Sequence, residues 1–180
     1  MWQIENTPLV KWIFAAVLLF LVIERIENTF SNKGRMLKGI KIFHRGFFYV
    51  LLTVYLAIIA VSSYSFFTAG EIDLPVTAAG AVIFAAGALC RRAAIRTLSS
   101  FWSVFIEVKE GQKIVREGIY RYLKHPYYTA VVIELIGFSL ICNSFWGVFL
   151  TLTLQIPLLL VRIYYENRIL CVFGRRFKFN

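Results

Sequence analysis

"YYTAVVIELIGFSLICNSFWGVFLTLTLQIPLLLVRI", residues 127–163, decides the architecture. Two apolar runs, 127–142 and 145–163, flank the polar break "CNS" at 142–144. As a helix the first run rises roughly 25 Å at about 1.5 Å per residue, and the second approaches the roughly 20 residues that a membrane crossing needs. Two such runs joined by so short a break predict a tight helical hairpin with its tip near one membrane surface.

Working outward, three more apolar runs stand at 8–27, 47–68 and 74–95, each long enough to cross. The sequence therefore predicts an all-α, polytopic membrane protein of about five transmembrane helices, ending in a helical hairpin. Composition agrees: 59% of the 180 residues are hydrophobic and 17% are charged, against roughly 45–50% apolar in soluble domains. The leading segment of the first run, "MWQIENTPLVK", is barely basic, and no small-residue cleavage site follows. It reads as a retained span rather than a signal peptide.

The net charge of +10 would suit nucleic acid or an anionic membrane surface. Apolar runs of this length favour the membrane, and no zinc-finger or RNA-motif spacing is present, so nucleic acid is not an expected partner. Basic residues gather at 31–46, at 91–124 and in the tail (Arg168, Arg175, Arg176, Lys178), whereas "AGEID" at 69–73 and the "CNS" tip have none. Basic loops lie on the cytoplasmic side. All of them agree if the N-terminus is outside and the C-terminus cytoplasmic, and five spans require that arrangement. Cys90, Cys142 and Cys171 form no CxxC, and with only His44 and His125 a metal site is not expected. Neither GxGxxG nor a P-loop pattern appears.

Against this apolar background "REGIYRYLKHPYYTA", 116–130, is densely polar. Pro126 suits the first turn of a helix, which puts His125 at a helix mouth where free N–H groups favour an anion. Tyr120, Tyr122, Tyr127 and Tyr128 offer aromatic faces with polar tips, as an interfacial belt also would. In "VRIYYENRILCVFGRRF", 161–177, Arg162 and Glu166 stand at i, i+4 on one helix face, and Gly174 reads as a helix stop. An ionisable pair at a membrane boundary is a candidate functional site, although a surface ion pair has the same spacing.

"LSSFWSVFIEVKEGQKIVREGIYRYLKHPYYTAVVIELIG", followed after the hairpin by Arg162, Glu166 and "FG", resembles the isoprenylcysteine carboxyl methyltransferase family. The resemblance covers about residues 90–177. It implies a single membrane domain, 1–180, with N-terminal spans in 1–89 and a methyltransferase-like core in 90–180. It implies S-adenosylmethionine as cofactor, bound on the cytoplasmic side. By resemblance, Gln112, Lys113, Ile114, Val115, Tyr120, His125, Pro126, Tyr127, Tyr128 and Glu166 are cofactor-binding positions. Arg162 matches an arginine that meets the substrate. His125 and Arg162 are the candidate catalytic residues, with Glu134 a further proton acceptor where the methylated group must lose a proton. Gln112 stands where the family usually has His, Lys124 where it has Arg, and one acid stands in place of two. The chain also stops at Asn180, where many relatives continue.

The implied activity is that of a protein-S-isoprenylcysteine O-methyltransferase-like enzyme: methylation of a lipophilic, membrane-borne or prenylated acceptor, with a carboxylate favoured. Three alternatives stay open: a phospholipid or amine N-methyltransferase, an NADPH-dependent membrane reductase with a similar His-Pro-x-Tyr block, and an inactive membrane scaffold. Membrane lipids are expected partners, and nothing in the sequence fixes the oligomeric state.

Overall fold

The computed structural model describes residues 2–30, 39–43, 45–98, 106–109 and 117–177. Helix α1 (Pro8–Phe30) is followed by α2 (Arg45–Thr68), α3 (Leu74–Leu98), α4 (Pro126–Ile141), α5 (Phe145–Leu150) and α6 (Ile156–Phe177). Among the described residues three stretches are long and apolar enough to cross a membrane: Gly46–Thr68, Leu74–Leu98 and Phe145–Ile169. The apolar helix α4 is shorter, at 16 residues. Helix α1 spans 23 residues and carries Lys11, Glu24 and Arg25.

The hairpin takes the predicted form. Cys142–Ser144 turn the chain between α4 and α5, and Asn143 adopts a left-handed φ of 51°, a region that Asn tolerates better than most residues. Ser144 caps α5 by accepting the Gly147 N–H. Residues 151–155 then form a single π turn, and the helix continues into α6. Pro157 is the local cause. It has no N–H for the carbonyl four residues back and its ring crowds that turn, so the ladder widens just ahead of it. Gly174 does not end the helix, as the sequence suggested it would: α6 runs on to Phe177. Glycine inside a helix costs only about 1 kcal/mol relative to Ala, which continued helical hydrogen bonding can offset.

Two short antiparallel ribbons supplement the all-α expectation. Strand β1 (Gln3–Glu5) pairs with β3 (Glu71–Asp73), and β2 (Gly39–Phe43) pairs with β4 (Ile106–Lys109). The first ribbon ties the N-terminus to the α2–α3 connection. The Asp73 N–H donates to Asn143 Oδ1, which brings the hairpin tip to the same end. The second ribbon joins two of the basic stretches at the opposite end. The basic stretch expected to start as a loop at Arg91 is helical to Leu98, so Arg91, Arg92 and Arg96 belong to α3.

Helix α4 is the central element. It packs on α3 at a distance set by glycine. A Cβ on Gly137 would stand 2.5 Å from the Phe84 nitrogen, and one on Gly87 would stand 2.9 Å from Glu134 Cγ. Small residues at a helix crossing let backbones approach closely, which is how helices associate where lipid surrounds them. Val131 and Leu135 of α4 meet Leu51 and Ile58 of α2 and Leu159 of α6 in one core cluster. At the other end Phe14 of α1 stacks on Phe66, ring centroids 3.9 Å apart. The sides of the bundle expose large apolar residues such as Phe20, Val82, Leu89 and Leu160, a surface suited to lipid.

Candidate functional site

Pro126 is the first residue of α4, and His125 stands at its mouth as the N-cap. The His125 side chain makes no capping hydrogen bond, so the N–H groups of the first turn keep the electropositive character of a helix start. The His125 ring lies 5.9 Å from that of Tyr128, nearly parallel to it. One turn into α4, the Tyr128 hydroxyl donates to Glu166 Oε2 at 2.6 Å and accepts from Arg162 Nε at 2.9 Å. The Arg162 guanidinium also lies 5.3 Å from the Tyr128 ring centre. Closing the hairpin thus brings His125, Tyr128, Arg162 and Glu166 to one end of the bundle, with Tyr128 as the bridge.

Tyr120 sits in a short 3-10 turn, Gly118–Arg121, before α4. Burial pushes its phenol well above the usual value, and the negative charge of Glu166 adds to the shift. Tyr120 and Glu166 therefore share one electrostatic environment. Tyr127 packs edge-on against Tyr128. Pro126 is buried, and its carbonyl accepts from the Cys90 thiol. Gln112, Lys113, Ile114 and Val115 lie outside the described residues.

Inward from this cluster lies a cavity of about 360 Å³ between α1, α2, α4 and α6. Its walls are chiefly apolar, including Leu18, Leu51, Val131 and Leu135. The rim residues Val22, Leu52 and Leu56 are exposed, so the cavity opens sideways between α1 and α2. Tyr127, Tyr128 and Arg162 line it, whereas His125 and Glu166 do not. Tyr128 and Arg162 consequently stand as a partition, with the cavity on one side and the Glu166 carboxylate on the other.

A second polar group lines the same cavity. Glu134, 1% exposed, pairs with Arg91 through Nε at 2.7 Å and with Arg25 through Nη1. Arg91 also meets Glu24 at 3.3 Å, and Glu24 meets Arg92. The Arg25 guanidinium covers the Tyr55 ring at 4.5 Å. Arg91 is 2% exposed and its Nη1 has no partner. Held between two guanidinium groups, Glu134 ties α1 and α3 to α4.

Residues 78–172 match the Isoprenylcysteine carboxyl methyltransferase (ICMT) family, a little over half of the chain. The chain belongs to this family. The matched segment contains His125, Tyr128, Glu134, Arg162 and Glu166, while Arg25 and Tyr55 lie ahead of it. Among similar proteins, Uncharacterized protein YpbQ of Bacillus subtilis (strain 168) is 31% identical over 77 residues, 43% of this chain and 46% of its own length. An uncharacterized protein of Haemophilus influenzae is 32% identical over 74 residues, 41% of this chain and 43% of its own. The aligned segment spans less than half the length of either relative.

Sequence reasoning did not single out Arg25, Tyr55, Arg91 or Gln155 as cavity residues. Glu134 was the available signal: a carboxylate inside an apolar helix needs a partner. Its partners, however, lie 43 and 109 positions away, and Arg91 read as loop charge.

Proposed function

We propose that this protein transfers the methyl group of S-adenosylmethionine to a lipophilic, membrane-borne acceptor whose reacting end is acidic, with a carboxylate favoured, as in isoprenylcysteine-type O-methylation. The observation that carries this reading is the partition. The Tyr128–Arg162 pair separates an apolar cavity with a lateral mouth from a polar cluster built on His125, Tyr120 and Glu166. A water-borne cofactor and a lipid-borne acceptor would then approach one boundary from opposite sides.

The residues present fit such a cofactor. The uncapped first turn of α4 at His125 suits its carboxylate. Glu166 can accept hydrogen bonds from ribose hydroxyls or from the ammonium. The rings of Tyr120, Tyr127 and Tyr128 suit a sulfonium through cation–π attraction. When bound, the cofactor supplies an already activated methyl group, so the protein needs chiefly to align donor and acceptor and to exclude water. Arg162, 8% exposed, holds the anionic end of the acceptor at the boundary. Tyr128 fixes the Arg162 fork and orients Glu166 through the same hydroxyl. A carboxylate acceptor has no proton to lose. For a hydroxyl acceptor, His125 is the group free to take the proton, because Glu134 is committed to Arg25 and Arg91.

In this reading α1, α2, α3, α4 and the continuous α5–α6 helix each cross the bilayer. The N-terminus is outside, and the ribbon of β2 with β4, the 117–125 segment and the C-terminus are cytoplasmic. The spans before residue 90 supply the lipid-facing wall, and residues 90–180 form the core. Equilibrium binding of labelled S-adenosylmethionine and of NADPH to the purified protein tests the class. Binding of the first alone is expected. Binding of NADPH alone would identify a reductase, and binding of neither an inactive scaffold.

A further inference from the structure

Four buried side-chain atoms among the described residues have no hydrogen-bond partner: Asn6 Oδ1, Ser63 Oγ, Arg91 Nη1 and Gln155 Oε1. Two of them, on Arg91 and Gln155, belong to residues lining the same cavity. Native proteins leave few buried polar atoms unpaired, and those that remain call for an explanation. For Arg91 part of it is at hand, because its Nε and Nη2 hold Glu134 and Glu24. Gln155 has no such account. It is 2% exposed and borders the core cluster of Leu51, Val131, Leu135 and Leu159.

Its backbone is unusual as well. Gln155 is the last residue of the π turn, a rare element that recurs at functional sites because it re-aims side chains. The next turns of the same helix place Leu159 and Arg162 in the cavity wall with it. Residues at i, i+4 and i+7 share a helix face, so Gln155 lies on the Arg162 side, about 10 Å deeper along the axis at about 1.5 Å per residue. The cavity thus has a cationic end at Arg162, an apolar body, and an unpaired amide oxygen farther in. A plain hydrocarbon chain would leave that oxygen unsatisfied.

Building on the methyl-transfer reading, we propose that Gln155 is a specificity-determining residue for an acceptor that carries a second hydrogen-bonding group on its lipid body. That group, a hydroxyl that donates to Gln155 Oε1, lies about 10 Å from the end held at Arg162, the helical rise between the two positions. The unpaired Gln155 Oε1 is an acceptor, so a donating group satisfies it. A site built to hydrogen-bond such a group rejects analogues that lack it, because its own polar atom is then left unpaired.

Oleic and ricinoleic acids, which differ by one mid-chain hydroxyl, test this on the full-length protein in nanodiscs. Affinity is read by displacement of a dansyl-labelled fatty acid, without turnover, and methyl ester formation from labelled S-adenosylmethionine is read in parallel. The wild type is expected to bind ricinoleic acid about 3–10-fold tighter, the span of one hydrogen bond. Gln155→Leu is expected to erase the preference while keeping or improving oleic acid binding, and to unfold at an equal or higher temperature. Equal affinity of the wild type for both acids, or no displacement by either, would overturn the role given to Gln155. So would a Gln155→Leu variant that unfolds at a lower temperature, since the amide would then have a structural partner. Discrimination in binding with no methyl ester formed would leave Gln155 in place and sink the methyl-transfer reading instead. Ester formation from both acids at equal efficiency would do the reverse.

Discussion

The hydroxyl of Tyr128 lies 2.6 Å from Glu166 Oε2 although 38 positions separate the two residues. The hairpin between them returns the chain to the end it left, and one short hydrogen bond fastens its two arms. Because the same hydroxyl accepts from Arg162, it relays orientation from a cation on the cavity wall to a carboxylate beyond it. Tyr128→Phe keeps the ring and removes the relay. Hydrogen bonds to charged groups contribute about 1.5–3 kcal/mol, so affinity for labelled S-adenosylmethionine is expected to fall roughly tenfold or more. Unchanged affinity would mean that Glu166 is positioned by something else.

Glu134 is expected to be a stability residue. Removing one partner of a buried ion pair costs about 3–5 kcal/mol, because the remaining charge stays buried and uncompensated. Arg91 is only 2% exposed, so Glu134→Ala should lower the unfolding temperature in detergent sharply. The exposed end of the network behaves differently. Arg92 is 43% exposed, and Arg92→Ala should cost under about 1 kcal/mol. Similar losses from both substitutions would contradict the buried placement of the first.

The crossing of α3 and α4 predicts a steric effect at Gly137. Its missing Cβ would meet the backbone of Phe84 rather than a movable side chain. Even Gly137→Ala should therefore force the helices apart, at about 1–3 kcal/mol. Gly46 is the control, since nothing lies within 4 Å of a Cβ there. Gly46→Ala should unfold at a temperature equal to or slightly above that of the wild type, because alanine favours the helix.

Tyr120 sets an alkaline limit. Burial first, and Glu166 second, raise its phenol above the ordinary 10.0. The folded state then holds the proton more tightly than the unfolded state does. The contribution is fully present below about pH 10 and is lost as pH rises through the higher folded value. Tyr120→Phe has no proton to lose, so its unfolding temperature should fall less steeply above pH 10 than that of the wild type. Parallel slopes for the two proteins would place the alkaline sensitivity elsewhere.

Much of this arrangement was legible in the sequence, for identifiable reasons. Pro126 marked the start of α4 because its ring fixes φ and it has no N–H to lose. The break at 142–144 marks the hairpin because polar residues separate two apolar runs. The pairing of Gln3–Glu5 with Glu71–Asp73 was not legible: three-residue strands carry no period, and their partners lie far apart in sequence. Arg91 reads as loop charge because helix ends in basic segments have no sharp compositional edge. The π turn before Pro157 is not legible because a proline in an apolar run predicts disturbance without its form. Gln155 followed from neither, since its isolation depends on what surrounds it in space.

Arg162 separates the two halves of the proposed site most directly. It lines the cavity, and it reaches Glu166 through the Tyr128 hydroxyl. If Arg162 holds the acceptor, Arg162→Ala should lower kcat/KM for the acceptor by tenfold or more, about 1.4 kcal/mol for each factor of ten, and leave S-adenosylmethionine affinity within about threefold of wild type. Glu166→Ala should do the opposite and weaken the cofactor first. Equal losses of cofactor binding in both variants would make Arg162 a positioning residue for the carboxylate and nothing more. Arg162→Lys refines the assignment, because lysine keeps the charge and loses the planar fork. The arginine meets Tyr128 through Nε, and its guanidinium is a planar fork that an ammonium cannot copy. The lysine variant should therefore bind S-adenosylmethionine normally and methylate poorly. Full activity in that variant would show that a point charge at the boundary suffices, and that planar recognition of an acidic acceptor is not what Arg162 supplies.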